Sequence, residues 1–482
     1  MQEGDERLSH GFKILIGKEE RVNRDRFCTR WPNVPGQRTH LPKLLLMKFY
    51  RMFAGLQHNC SQFIEYCEKW SAGKGWGRAH KKGLSRWYHS FDGQELKLAR
   101  LVTRFPGKFR WCHKDVIRLA HIKPKNDRVG LILRYITHGL DEATKMYCSR
   151  SGQLDLDPVV VQIAEFLKAV EESKTCTEPL KIVQYVQKYK LAREHLPQRS
   201  LDNPDVLHAL LNNMPLETML RNLGKMAAVG LLSPGSITET LVVSKLESQE
   251  NIRMSKLHPF HVLCLKCRYQ KGYSVRGKLK WNWNENVKKA LDKTFHLSFC
   301  NVVPTGKRLF VTYDAFGMCE LVSGNSSVIA RDAAATMIMA AVRTETDPQI
   351  YSFSQDIKKM EVSKQETIRE VANVFGHLYY SATDCTRPIT YALEHKIVVD
   401  VFIIYTDVNA NFGNIHPVEA LDRYRRFFEV QDTKLIIVGM SCNKPRFSFS
   451  FARRSDPFML DIVGFDKFTP LAIDMFIRGN IL

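Results

Sequence analysis

Leu211-Asn-Asn-Met-Pro-Leu-Glu-Thr-Met-Leu-Arg-Asn-Leu-Gly-Lys-Met226, followed by Leu257-His-Pro-Phe-His261 and Arg276-Gly-Lys-Leu-Lys-Trp281, is the most informative stretch of this chain. It shows the pattern of everything from residue 41 to 295: apolar residues at spacings of three and four, broken by short turns at Gly, Pro and Asn. That spacing lines one face of an α-helix. Pro158–Glu171, Leu180–Leu191 and Asp205–Asn213 read as such helices, the first with Asp157 as N-cap and Pro158 in its first turn. Many short helices joined by tight turns suggest stacked helical pairs, an α-solenoid, although no sequence repeat is visible. Residues 1–40, with Trp31-Pro-Asn-Val-Pro-Gly36, read as an irregular N-terminal segment.

The pattern changes at Pro304-Thr-Gly306, so residues 41–303 and 304–482 are expected to form separate modules. Arg308–Tyr313, Ile350–Phe353, Val398–Tyr405 and Leu435–Val438 are short apolar runs rich in strand formers, and Val328–Val342 is an apolar helical run. Strands alternating with helices predict a mostly parallel sheet covered on both faces. Such sheets carry their functional loops at the carboxyl ends of the strands, where Asp314 and Asp407 fall.

Charge separates the same two parts. The formal net charge is +21; residues 1–300 carry +22 and residues 301–482 carry −1. Residues 71–140 alone hold +12. A surface that repels itself so strongly favours a polyanionic partner. No apolar run is long enough for a transmembrane helix, and the polar first residues do not resemble a signal peptide. Twelve cysteines without a repeating spacing suggest reduced thiols in the cytoplasm, or also the nucleus. Cys264-x-x-Cys267 lacks the further ligands of a zinc site.

Within the basic segment, Trp111–His121 reads as an amphipathic helix. Lys114, Arg118 and His121 fall on one face, and Val116, Leu119 and Ala120 are expected to pack inward on the opposite one. Upstream, Arg78, Lys82, Arg86 and His89 make a similar stripe, with Leu84, Trp87 and Tyr88 inward. Arg104, Lys108 and Arg110 lie between, in a Gly/Pro-containing connection. Adjacent basic helix faces with a basic loop suit a phosphate backbone.

The opening stretch, with Trp76-Gly-Arg78 and His113-Lys-Asp115 upstream, resembles the signature of the Ro ribonucleoprotein family and its TROVE module. The resemblance covers about residues 50–482. It implies HEAT-like helical repeats bent into a ring, followed by an α/β von Willebrand factor type A-like domain. It also implies binding of small structured (Y-like) RNAs on the outer surface, at positions matching Arg104, Lys108 and His121, and of single-stranded 3′ ends of misfolded small RNAs in a central hole. Arg276, Lys278 and Lys280, beside Trp281 for base stacking, are candidates for the latter. Roughly the first sixty to seventy family residues have no counterpart upstream of Trp76-Gly-Arg78, which puts closure of the ring in question.

A type A domain holds Mg²⁺ with an Asp-x-Ser-x-Ser loop, a Thr and a further Asp, all oxygen donors suited to a hard cation. Here the first loop reads Asp314-Ala-Phe316-Gly-Met318, so both serine positions have changed. Thr383-Asp384 and Thr406-Asp407 match the other two loops, while Ser381 and Ala382 replace a glycine pair. The resemblance with these departures implies a degenerate site at Asp314, Thr383 and Asp407, with no cofactor expected. Thr305-Gly-Lys307 is not a P-loop, and no His-Glu-x-x-His or Gly-x-Ser-x-Gly is present. The reading is a non-catalytic RNA-binding protein involved in RNA quality control. The alternative is a protein-interaction adaptor built on the degenerate type A domain.

Overall fold

A computed structural model describes residues 13–15, 77–108, 111–148, 157–274, 277–315, 318–323, 327–354, 356–374, 383–407, 415–441 and 456–480. The chain forms two compact units: residues 21–214, and residues 215–482 together with residues 1–20. The first strand, β1 (Lys13–Leu15), lies in the segment read as irregular; it pairs antiparallel with the last strand of the sheet. The rest of residues 1–40 and the start of the expected helical region fall outside the described residues.

In the first unit, helices α1 (Arg78–His89) and α2 (Glu95–Arg104) precede a small hairpin, β2 (Gly107–Lys108) and β3 (Trp111–Cys112). Then come α3 (His113–Ala120), α4 (Asp127–His138), α5 (Leu140–Tyr147), α6 (Pro158–Thr175), α7 (Pro179–Tyr189) and α8 (Pro204–Asn213). Helix starts follow the sequence signals: Asp157 Oδ1 accepts from Val159 N at 2.9 Å, and Asn203 caps α8 through Asp205 N at 2.9 Å. The core gathers Leu84, Trp87, Tyr88, Leu98, Val116, Leu131, Ile163 and Leu167. His113 is buried within it and hydrogen-bonds the Tyr88 hydroxyl through Nδ1 at 2.6 Å. Burial lowers its pKa to about 3, so it stays neutral in the core.

The second unit begins with α9 (Leu216–Ala228), α10 (Ile237–Glu247), α11 (Gln249–Ser255), α12 (Pro259–Gln270) and α13 (Glu285–Leu297). A seven-stranded sheet follows, in the order β1-β9-β8-β7-β4-β5-β6. Its strands are β4 (Leu309–Asp314), β5 (Gln349–Phe353), β6 (Ile357–Lys359), β7 (Val401–Thr406), β8 (Lys434–Gly439) and β9 (Met459–Val463). Strands β5, β4, β7, β8 and β9 are parallel; β6 and β1 are antiparallel edges. Strands β4, β7 and β9 are buried along their whole length, which explains why they are mostly apolar. Helices α14 (Ala330–Thr344), α15 (Ile368–Val374), α16 (Arg387–Glu394), α17 (Pro417–Phe428) and α18 (Thr469–Ile477) complete the α/β part.

The change of pattern at Pro304 is no break in packing. Phe260 of α12 meets Phe465 edge-on at 4.7 Å, and Arg343 of α14 lies 4.3 Å over the Phe299 ring. Glu345 accepts from the backbone N–H groups of Thr305 and Gly306 at 2.7 and 3.1 Å, fixing the connection. The sheet part is therefore built onto the last helices.

Candidate nucleic-acid interface

The upstream stripe forms as its spacing predicts. Arg78, Lys82 and Arg86 are exposed along α1, while Leu84, Trp87 and Tyr88 are buried. His89, at the end of the same stripe, is half-buried and donates from Nε2 to the Lys123 carbonyl at 3.0 Å. That bond ties α1 to the loop after α3, and the two helices pack against each other. The two helices that carry the basic residues thus belong to one packed body.

Helix α3 differs from its expected form in two ways. Trp111 and Cys112 are strand, so the helix starts only at His113. Asp115 closes its start by accepting from Cys112 N at 2.9 Å. The hairpin before it needs Gly107, where a Cβ would stand 2.7 Å from the Trp111 carbonyl oxygen. The inward face is His113, Val116, Ile117 and Ala120; Leu119 is 43% exposed, contrary to expectation. At about 100° per residue, the buried arc centres between Val116 and Ile117 and Leu119 lies outside it. Lys114 flanks the arc on the opposite side from Leu119 and is half-buried, with Arg118 and His121 exposed. His121 ends the helix in the left-handed region (φ 53°), with Ile122 N bonded to Ile117 O at 3.2 Å. Lys108 lies in β2; its side chain, like Arg110, falls outside the described residues.

Arg104 is not an open member of the stripe. Its Nε and Nη2 donate to Glu194 Oε2 and Oε1 at 2.8 and 3.3 Å, and its guanidinium lies 5.0 Å over the Phe105 ring. The pairing partner stands ninety residues away in sequence and carries no local signal.

In the other unit, Trp281 is not a stacking platform. Its indole Nε1 donates to the Tyr269 carbonyl at 2.8 Å, and its ring lies so close to Gly224 that a Cβ there would approach it to 2.8 Å. Lys278 and Lys280 are exposed; Arg276 falls outside the described residues. Beside Trp281, the rings of Tyr273 (46% exposed) and Trp283 (43%) are open, with the Lys271 and Lys288 ammonium groups 5.0 and 4.5 Å from their centroids. The backbone between them is fixed by Ser274 N to Leu279 O and Trp281 N to Gly272 O, both 2.9 Å. Asn284 locks the following helix, accepting from Asn286 N at 2.8 Å and donating to Leu232 O at 3.0 Å.

At the carboxyl edge of the sheet, Asp314 is fully buried. Thr383 and Thr406 donate their hydroxyls to its Oδ1 and Oδ2 at 2.9 and 2.7 Å. Asp407, next to Thr406, and Met318 are buried too, while Phe316, Ser381 and Ala382 fall outside the described residues. Burial, then the charges of Asp314, Asp384, Asp407 and Asp461, push the enclosed Cys385 thiol well above its usual range. Thr406, from the Thr406-Asp407 pair, reaches Asp314 with its hydroxyl. The implied Mg²⁺ fits this donor set poorly. Each Asp314 oxygen accepts one hydroxyl hydrogen bond and keeps a further lone pair, but the Met318 thioether is too soft a donor for a hard cation. Among the described residues, no group of at least three His, Cys, Asp or Glu is arranged to hold a metal.

Comparison with known proteins accounts for both modules. Residues 45–267 match the TROVE domain and residues 308–477 match the Ro60 vWA domain. The chain is 30% identical over 459 residues to the RNA-binding protein RO60 of Caenorhabditis elegans, covering 87% of this chain and 70% of that protein. The chain belongs to the Ro family. It is also 30% identical over 410 residues to the RNA-binding protein RO60 of Deinococcus radiodurans, covering 84% of this chain and 73% of that one. The crystal structure of the Deinococcus radiodurans RO (RSR) protein superposes with a TM-score of 0.75 at 26% identity, over 90% of this chain and 84% of that one. The helical region followed by a type A-like domain is thus the fold of this family.

Proposed function

We propose that this Ro-family chain is a non-catalytic RNA-binding protein. It holds small structured, Y-like RNAs on the basic faces of α1 and α3, and takes single-stranded ends of misfolded small RNAs on the Tyr273–Trp283 hairpin. The observation that carries the reading is the exposed set Arg78, Lys82, Arg86, Arg118 and His121 on two helices of one packed body. That its relatives are RNA-binding proteins supports it. Phosphates spaced along a stem are neutralised by such a surface with release of counterions. Exposed rings flanked by lysines suit unpaired bases. None of the described helices is long and apolar enough to cross a membrane; a reducing compartment, the cytoplasm or also the nucleus, is the proposed location.

The test is fluorescence anisotropy with a labelled stem-loop RNA over a series of salt concentrations. Arg118→Ala and His121→Ser are each expected to weaken binding roughly three- to ten-fold, the worth of one solvent-exposed contact. Their melting temperatures should match that of the wild type. Unchanged affinity in both would place the stem-binding surface elsewhere.

The type A-like site is proposed to act as a hydrogen-bonded structural carboxylate. Isothermal calorimetry with MgCl₂ is then expected to show no micromolar binding event. A tightly bound ion would stabilise the fold by RT ln(1 + [L]/Kd). A melting temperature that climbs with micromolar Mg²⁺ would reverse this assignment.

A further inference from the structure

We infer that Glu194 is a specificity-determining residue that withholds Arg104 from RNA and so sets one edge of the basic surface. The inference rests on the RNA-binding reading above. Arg104 belongs to the most basic part of the chain, ends α2, and leads within a few residues into the hairpin before α3. By position it should offer a phosphate a forked donor. Glu194 occupies that fork with both carboxylate oxygens.

Ion pairs near the surface usually exchange readily with solvent and are worth little. This one differs because its acid is presented by a fixed segment. Glu194 sits in a 3₁₀ turn, Arg193–His195, whose histidine is buried. The Ala192 N–H donates to His195 Nδ1 at 2.9 Å, so the ring proton must lie on Nε2. That nitrogen faces Thr103 Oγ1 at 3.1 Å, and the Thr103 hydroxyl hydrogen is directed to the Ala99 carbonyl at 2.7 Å. His195 therefore donates to Thr103, the residue next to Arg104. Phe166 of α6 packs edge-on against the imidazole at 5.8 Å. Burial lowers the His195 pKa to about 4, so the ring keeps this single-donor form at neutral pH. The turn is bolted to α2 through the residue beside Arg104, and the carboxylate needs no reorganisation to hold the guanidinium.

A phosphate reaching Arg104 must displace a preorganised carboxylate and then lie beside its negative charge. A stem that follows α1 and α3 is accepted; one whose backbone runs on toward α2 is rejected. Charge-neutral replacement of Glu194 removes that barrier and adds a phosphate donor.

The experiment compares Glu194→Gln, Glu194→Asp, Arg104→Gln and the Glu194→Gln/Arg104→Gln double variant in the full chain, using the same labelled stem-loop RNA, with Arg118→Ala as control. Glu194→Gln is expected to tighten binding roughly three- to ten-fold, as one solvent-exposed phosphate contact is gained. Its log–log salt slope should steepen by about 0.7–0.9, the release of one more counterion. The gain should vanish when Arg104→Gln is also present, and Glu194→Asp, which keeps the charge, should retain the wild-type slope. Equal gains in both backgrounds would mean that Glu194 acts only through its own charge, and would overturn the inference. So would an unchanged or weakened Glu194→Gln protein while Arg118→Ala still loses affinity. If Arg118→Ala also binds normally, the RNA surface itself has been misassigned, a failure distinct from that of Glu194.

Discussion

Replacing Arg78, Lys82, Arg86, Lys114 and Arg118 together by glutamine is expected to weaken stem-loop RNA binding by roughly a hundred- to a thousand-fold. The log–log salt slope should flatten by about 4, since each lost phosphate contact removes slightly less than one released counterion. These side chains are exposed, except for half-buried Lys114, and the apolar faces beneath them are untouched. Substitutions at such positions usually change stability by no more than about 0.5 kcal/mol each. The thermal melt should therefore stay cooperative and close to that of the parent. A variant that folds and keeps its affinity and salt slope would show that the excess charge of residues 1–300 serves some other surface. A variant with lower affinity but an unchanged slope would also count against the reading, because loss of phosphate contacts must reduce counterion release.

The parts of this surface that were legible in the sequence are those decided by local periodicity. The stripe on α1 follows from the spacing of Arg78, Lys82 and Arg86 against Leu84, Trp87 and Tyr88, because a helix presents residues three and four apart on one face. Helix α6 begins where Asp157 and Pro158 say it should. The central strands were visible because a sheet covered on both faces needs unbroken apolar runs. Helix α3 was harder to read. Its true start depends on the Gly107 turn and the Asp115 cap, and a two-residue strand leaves no periodic trace. Short β6 and β9 were missed for related reasons: one has a polar exposed face, and the other interrupts its apolar run with the buried Asp461. The Arg104–Glu194 pair was illegible because it joins residues ninety positions apart. Sequence charge counts could only record Arg104 as one more cation.

The same limit applies to Trp281 and Trp283, and here the two tryptophans make opposite predictions. The sequence reading singles out Trp281 beside Lys278 and Lys280, while Trp283 stands two residues on. Gly224 decides between them. It lies in the middle of α9, where a glycine costs about 0.5–1 kcal/mol relative to alanine, and its missing side chain makes room for the Trp281 ring. Trp281→Ala empties that space and abandons the indole bond to the Tyr269 carbonyl. A loss of roughly 3 kcal/mol of stability is expected, read from urea unfolding. Gly224→Ala should also destabilise the fold, because its Cβ meets the rigid ring rather than a flexible side-chain end. Trp283→Ala should behave differently. Its ring is 43% exposed with the Lys288 ammonium above it, so unfolding should change little. Binding of a single-stranded oligouridine should weaken by roughly 1–3 kcal/mol, the usual worth of one base stacked on an aromatic ring. Trp283→Phe, which keeps a ring, should recover most of that loss. If Trp283→Ala binds the single strand normally, the hairpin is only a brace for α9 and α12, and unpaired RNA ends must be received elsewhere.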